Sequence, residues 1–220
     1  MSATSPLSTE HRLRRDAERN RRLILDAARE AFASSGLHVT LDEIARRAGV
    51  GVGTVYRRFA DKESLIDALF EDSIAELVAL AERASREEDP WGGFVRFFKG
   101  FVALQAENRG LKEVVLSGRH CHARMAAARQ RLSPLLSQLV KRAQTAGELR
   151  SDLRPGDVGL LAEMITSVAD TTRQISPDLY RRYMTIVLDG LRAGREHPSR
   201  LPTRALSLEE TEAIHRPERH

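Results

Sequence analysis

Apolar residues recur at three- and four-residue intervals along most of this 220-residue chain, and that period constrains the fold more than any other feature. Leu23, Ile24, Ala27, Ala28, Ala31 and Phe32 share one face at this spacing. So do Leu65, Ile66, Leu69, Phe70, Ile74 and Leu77, and again Phe94, Phe97, Phe98, Phe101 and Leu104. A helix turning about 100° per residue buries such a set on one side, whereas a strand needs alternation. Ala, Leu, Arg and Glu are frequent and β-branched runs are scarce, which favours helix again. The expected fold is all-α, with enough chain for one or two compact domains.

Caps and breakers divide the helices. Gly36 suits a left-handed position after the helix that starts near Arg21. Thr40-Leu41-Asp42-Glu43 reads as a capping box that opens a short helix with Leu41, Ile44, Ala45 and Ala48 inward. Gly49 interrupts it, a second short helix runs roughly from Gly51 to Phe59, and Asp61 caps a longer one. Asp89-Pro90 is a strong start signal. Gly110 and Gly118 bracket a short helix around Leu111–Leu116. A stretch from about Ala123 to Ala146 contains Pro134, which predicts a kink or break and leaves the Gln130 carbonyl without its helical partner. Pro155 opens the next helix, to about Arg173, and Ser176-Pro177 the last, to about Leu191. The polar residues 1–18 are expected as a flexible arm and residues 195–220 as a flexible tail. Residues 19–70 and 71–194 then form two domains.

Charge is unevenly placed. Residues 1–60 hold 11 Lys/Arg against 7 Asp/Glu, which accounts for the whole formal excess of +4. Localised positive charge attracts a polyanion and strengthens binding through counterion release. The single Cys121 cannot form an internal disulfide, no apolar run reaches membrane-spanning length, and the N-terminus lacks a secretory h-region. These features point to the cytoplasm and to no membrane partner. No phosphate-binding glycine loop, HExxH or nucleophile elbow is present, so an enzyme is not expected. His120-Cys121-His122 points its side chains in different directions on any regular element, so no metal site and no cofactor are expected.

Two short helices joined by a glycine turn, behind a supporting helix, make a helix-turn-helix. In Gly51-Val52-Gly53-Thr54-Val55-Tyr56-Arg57-Arg58-Phe59, Val55 and Phe59 can face inward, leaving Val52, Gly53, Thr54, Tyr56 and Arg57 outward. Two glycines in a first helical turn cost about 1 kcal/mol each relative to alanine, which suggests close approach of a partner to the backbone. The motif spans about residues 40–59.

RRLILDAAREAFASSG, followed by TLDEIARRAGVGVGTVYRRFADKESLI, resembles the DNA-binding domain of the TetR family of transcriptional regulators over residues 21–70. Gly-Thr-Val-Tyr, then Arg-Phe, then Asp-Lys-Glu carries most of the specificity. Gly51 is a departure, since many relatives have serine there. The resemblance implies a sequence-specific regulator, a repressor released from its operator by a small molecule. It implies phosphate contacts from Thr40, Tyr56 and Lys62, base-edge contacts from Val52, Gly53, Thr54 and Arg57, and Arg46 near the backbone. A guanine contact suits Arg57, because a guanidinium bonds O6 and N7 together.

The resemblance also implies a helical C-terminal domain that binds a ligand and dimerises, with double-stranded operator DNA as an inverted repeat. Leu161, Ile165 and Val168, with Leu179, Tyr183, Ile186 and Val187, are expected at the homodimer interface. The stripe Phe94, Phe97, Phe98 and Phe101 is expected to line a ligand site, with Arg119, His122, Thr166 and Asp170 as polar groups and Pro134 nearby. The effector is unknown. The rival reading is a helical ligand-binding or interaction protein with a vestigial DNA-binding domain.

Overall fold

The structure is a computed structural model and describes residues 6–35, 38–107 and 121–194. Among these residues there are eight helices and no strand: α1 (Pro6–Ser35), α2 (Leu41–Ala48), α3 (Val52–Arg58), α4 (Lys62–Ser85), α5 (Pro90–Glu107), α6 (Cys121–Thr145), α7 (Pro155–Thr172) and α8 (Leu179–Leu191). The expectations at Gly36, around Leu111–Leu116, at Arg119 and His120, and over the tail 195–220 lie outside the described residues. None of the described helices is long and apolar enough to cross a membrane.

Three boundaries differ from expectation. Helix α1 begins at Pro6, so residues 6–18 are helix and not an arm. From Leu7 to Asn20 the chain has no glycine or proline, and its Arg, Glu, Leu and Ala residues lose little rotamer freedom in a helix. Helix α6 runs through Pro134 without a break. Both Pro134 and Gln130 are exposed, so the carbonyl that proline leaves unpaired sits on a solvent-facing part of the helix. Helix α8 starts at Leu179, later than Pro177: the Leu179 amide bonds the Ser176 carbonyl at 3.1 Å, which makes Pro177 the second residue of a turn, a position its fixed φ favours.

The chain divides into two compact units, between Asp72 and Ser73 inside α4. In the first, Ile24, Leu25, Ala28, Ala31 and Phe32 of α1 are buried, as are Leu41, Ile44 and Ala45 of α2 and Leu65 and Leu69 of α4. Leu23, expected with them, is exposed, and Leu25 takes the inward position. The Asp72 carboxylate receives Arg29 at hydrogen-bond distance and Arg21 at 3.7 Å, tying α1 to α4.

In the second unit α5 crosses α4 closely at two glycines. A Cβ on Gly93 would stand 2.5 Å from the Ala84 carbonyl oxygen, and one on Gly100 would stand 2.5 Å from a Leu80 methyl. Trp91, Phe94, Phe97 and Phe98 are buried in one apolar cluster with Leu139, Val140, Ala143, Leu149, Val158, Ile165, Met184 and Leu188. The Arg142 guanidinium donates to the Ser85 and Glu87 carbonyls, which fixes the α4–α5 connection. The Gln144 amide donates to the Arg150 and Leu153 carbonyls at 3.0 and 2.9 Å, which fixes the α6–α7 connection.

These two glycines are distinguishable by mutation. A backbone carbonyl cannot move aside, whereas a leucine methyl can rotate. Gly93→Ala should therefore lower stability by about 1–3 kcal/mol. Gly100→Ala should cost clearly less, because repacking of Leu80 and the helix preference of alanine offset the crowding. Urea unfolding of both variants checks the order.

Candidate nucleic-acid interface

The turn between α2 and α3 begins with a left-handed residue. Gly49 has φ 66° and follows the last residue of α2. The next amide, of Val50, donates back to the Ala45 carbonyl at 3.1 Å, closing the helix end. At the other end of α2, the Thr40 hydroxyl accepts from the Glu43 amide at 3.2 Å, so that half of the expected capping box forms. The Glu43 carboxylate instead accepts from Arg47 at 2.6 Å, and Arg47 also donates to the Ser34 hydroxyl of α1 at 3.2 Å. This bracing of α2 against α1 was not legible, because the i,i+4 spacing of Glu43 and Arg47 says nothing of Ser34.

Helix α3 has only seven residues, with Gly51 as an N-cap that offers no side-chain hydrogen bond. It is held by its inward face: Val55 is 0% and Phe59 5% exposed. Val52, Gly53, Tyr56, Arg57 and Arg58 are exposed and Thr54 is half-buried. Thr40 and Arg46 are exposed as well. Among the described residues no carboxylate pairs with Arg46, Arg57 or Arg58, so three cations are available to a partner. Neither Gly51 nor Gly53 has a positive φ, and a Cβ on Gly53 would meet nothing within 4 Å. The fold does not require glycine there.

The Asp42 carboxylate beside the Tyr56 hydroxyl pushes the phenol above its ordinary pKa, first as a hydrogen-bond acceptor and then by its charge. Asp42 was not foreseen as part of the site; no local pattern relates two residues that far apart. Helix α4 opens on Asp61, whose carboxylate accepts from the Ser64 amide at 2.7 Å while the Ser64 hydroxyl accepts from the Asp61 amide at 3.2 Å. Lys62, half-buried, lies with its Nζ 5.8 Å from the centre of the Phe32 ring.

Two family models match the chain: "Bacterial regulatory proteins, tetR family" over residues 24–69 and "Transcriptional regulator SbtR-like, C-terminal domain" over residues 89–193. An uncharacterised helix-turn-helix transcriptional regulator of Mycobacterium tuberculosis is 33% identical over 161 residues, covering 69% of this chain and 78% of its own. The chain belongs to the TetR family. A TetR transcription regulatory protein from Mycobacterium vanbaalenii shares its fold with TM-score 0.65 and 33% identity, covering 82% of this chain and 99% of the other. The TetR regulator SCO0520 of Streptomyces coelicolor gives TM-score 0.64 and 31% identity, over 80% and 99%. This protein is therefore a helix-turn-helix transcriptional regulator, all-helical, with a DNA-binding domain at its N-terminal side.

The other residues expected in sites fall as follows. Phe94, Phe97 and Phe98 are fully buried, while Phe101 is half-buried. Thr166 is buried, and its hydroxyl donates to the Glu163 carbonyl at 3.0 Å and stands 3.4 Å from Gln105 Oε1. Asp170 pairs with Arg173 at 3.6 Å. Arg119 lies outside the described residues; His122 is in α6, and its side chain is outside them. Leu161, Val168, Leu179 and Val187 are half-buried, and Tyr183 and Ile186 are exposed. Ile165 is a correction: it is 1% exposed, turned into the core of its own chain, and its neighbour Met164, 51% exposed, occupies the outward position.

Two predictions follow from this geometry. Gly53→Ala should leave the fold intact and raise its stability by up to about 1 kcal/mol, since the site is open and alanine favours helix. It should weaken DNA binding if a duplex must approach that backbone; calorimetry and anisotropy titration measure the two effects. The Asp61 carboxylate is held below its ordinary pKa first by the Ser64 amide and then by the Ser64 hydroxyl. A depressed folded pKa gives stability that is full above the unfolded value of about 3.9 and is lost as pH falls through the folded value. Asp61→Asn, which caps without titrating, should flatten that part of the acid limb in melting experiments below pH of about 4.

Proposed function

We propose that this protein is a homodimeric repressor that reads an inverted-repeat operator with α3 and is released by a small, mostly apolar effector. The observation that carries the DNA reading is the two-sidedness of α3: Val55 and Phe59 are buried while Val52, Gly53, Tyr56 and Arg57 stand exposed. A short helix with small residues at its first turn and an unpaired guanidinium beyond fits the major groove end-on. In this reading Arg57 bonds a guanine, Val52, Gly53 and Thr54 approach base edges, Thr40, Tyr56 and Lys62 meet phosphates, and Arg46 lies beside the backbone. The Tyr56 hydroxyl has one proton, so on DNA it donates to a phosphate oxygen in place of Asp42.

Dimerisation is supported by the apolar side chains that α7 and α8 leave exposed: Met164, Tyr183 and Ile186 are 51%, 43% and 55% exposed. Leu161, Val168, Leu179 and Val187 flank them, half-buried. Exposed apolar clusters of this kind mark association surfaces. A two-fold dimer presents two equivalent recognition helices, hence the inverted repeat.

The effector site is best placed towards the end of α5, where Phe101 is half-buried and the Thr166 hydroxyl and Gln105 amide lie together. Trp91, Phe94 and Phe98 stack on one another at 5.8 and 6.2 Å and serve as core. A solved structure of the same fold, FadR from Bacillus subtilis, is in complex with stearoyl-CoA. Helix α4 is covalently common to both units, so an effector that displaces its second half biases the unit holding α3. A cytoplasmic, non-enzymatic role is consistent with this reading.

Selection of bound duplexes from random DNA by the pure protein tests it. Arg57→Ala should cost about 1–3 kcal/mol of discrimination at one base pair per half-site, while Tyr56→Phe and Lys62→Ala weaken all sequences alike. Tyr183→Asp or Ile186→Asp should give a monomer in sedimentation and lose the inverted-repeat preference. A selected pool with no enriched motif would refute the reading.

A further inference from the structure

The first turns of α1 lie ahead of the family match, which begins at residue 24, and they hold six arginines between residues 12 and 22. Four of them, Arg12, Arg15, Arg19 and Arg22, are spaced three, four and three residues apart within one continuous helix. At 3.6 residues per turn that spacing puts them on one face, opposite the face carrying Ile24, Leu25, Ala28 and Phe32. Arg15, Arg19 and Arg22 are exposed. Among the described residues no carboxylate pairs with these three, whereas Glu18 lies 3.8 Å from Arg21 and Asp72 takes Arg21 and Arg29.

We propose that this arginine face of α1 is a second DNA-contacting surface, which grips the phosphate backbone beside the half-site read by α3. It rests on the DNA-binding reading given above. Like charges three and four residues apart repel along a helix, so Arg15, Arg19 and Arg22 weaken α1 and an anionic partner relieves it. Its length from Arg12 to Arg22 is about 15 Å. Successive phosphates of one strand rise about 3.4 Å along the duplex axis while winding round it, so a straight stripe of that length faces roughly two or three of them. Guanidinium groups match phosphate oxygens in bidentate geometry. The occupant is a duplex and not another polyanion, because the same unit carries α3 with its free Arg57 and Arg58. These contacts carry affinity and salt dependence without sequence preference, as phosphate contacts do.

The test uses the full chain on a duplex it has selected, in a long form with flanking base pairs and a form trimmed to the half-sites. The variants are Arg12→Gln/Arg15→Gln/Arg19→Gln and the charge-keeping Arg12→Lys/Arg15→Lys/Arg19→Lys; arginine, lysine and glutamine have similar helix propensity. Unchanged helicity and melting temperature confirm that each variant folds. The Gln variant should lower the slope of log K against log salt on the long duplex by about 1.8 or more, one phosphate contact in each protomer of a dimer. The Lys variant should keep the slope, and on the trimmed duplex wild type and Gln variant should bind alike. A Gln variant with wild-type slope and affinity on the long duplex overturns the proposal while leaving α3 as the reader. A slope lost equally on the trimmed duplex overturns it too, since the contact is then not flanking. If the wild type selects no duplex at all, the DNA-binding reading fails first and the arginine face falls with it.

Discussion

Seven residues of helix cannot hold themselves together in water, because nucleation costs more than so few hydrogen bonds return. Helix α3 carries that burden with two glycines in or beside its first turn and no side-chain cap. Its existence depends on burying Val55 and Phe59, and burial of one such side chain contributes roughly 1.5–3 kcal/mol. The left-handed turn at Gly49 then fixes its direction from α2. Once Val55 and Phe59 point inward, the helical period turns Gly53 and Arg57 to solvent, while Val52, three residues before Val55, is exposed at the start of the helix. The presentation of the exposed face of α3 is therefore a consequence of core packing, and a cavity at Val55 or Phe59 would disturb that face without altering any residue on it.

Glycine appears in three physical roles that the structure separates. Gly49 is needed for its backbone, with φ 66°. Gly93 is needed for space, since a Cβ would press on a carbonyl oxygen. Gly53 is needed for neither, as its surroundings are open and its φ is ordinary. Glycine there weakens a marginal helix without serving the fold, as the proposed close approach of DNA to that backbone would require. That asymmetry makes the empty surface of α3 informative.

Most of the framework was legible in the sequence. The three- and four-residue period located the helical cores, and Thr40, Asp61, Asp89-Pro90 and Pro155 marked starts where the structure has them. What escaped was decided by context. The polar period of residues 6–18 hid a helix because a solvated helix needs no apolar stripe. Pro177 looked like a first helical residue but fits a preceding turn equally well. Ile165 and Met164 are adjacent and similarly apolar, so only the packing of α7 decides which one turns to the core. The contact of Arg47 with Ser34 and the approach of Asp42 to Tyr56 depend on how α1, α2 and α3 come together.

The central claim is that the exposed face of α3 reads base edges in the major groove. Methylation interference on a selected duplex tests it most directly, because dimethyl sulfate marks guanine N7 in the major groove and adenine N3 in the minor groove. The account predicts that binding is blocked by N7 methylation at guanines placed symmetrically in the two half-sites, and that Arg57→Ala loses this sensitivity at one guanine per half-site. Insensitivity to every N7 methyl group, or interference confined to adenine N3, would contradict it.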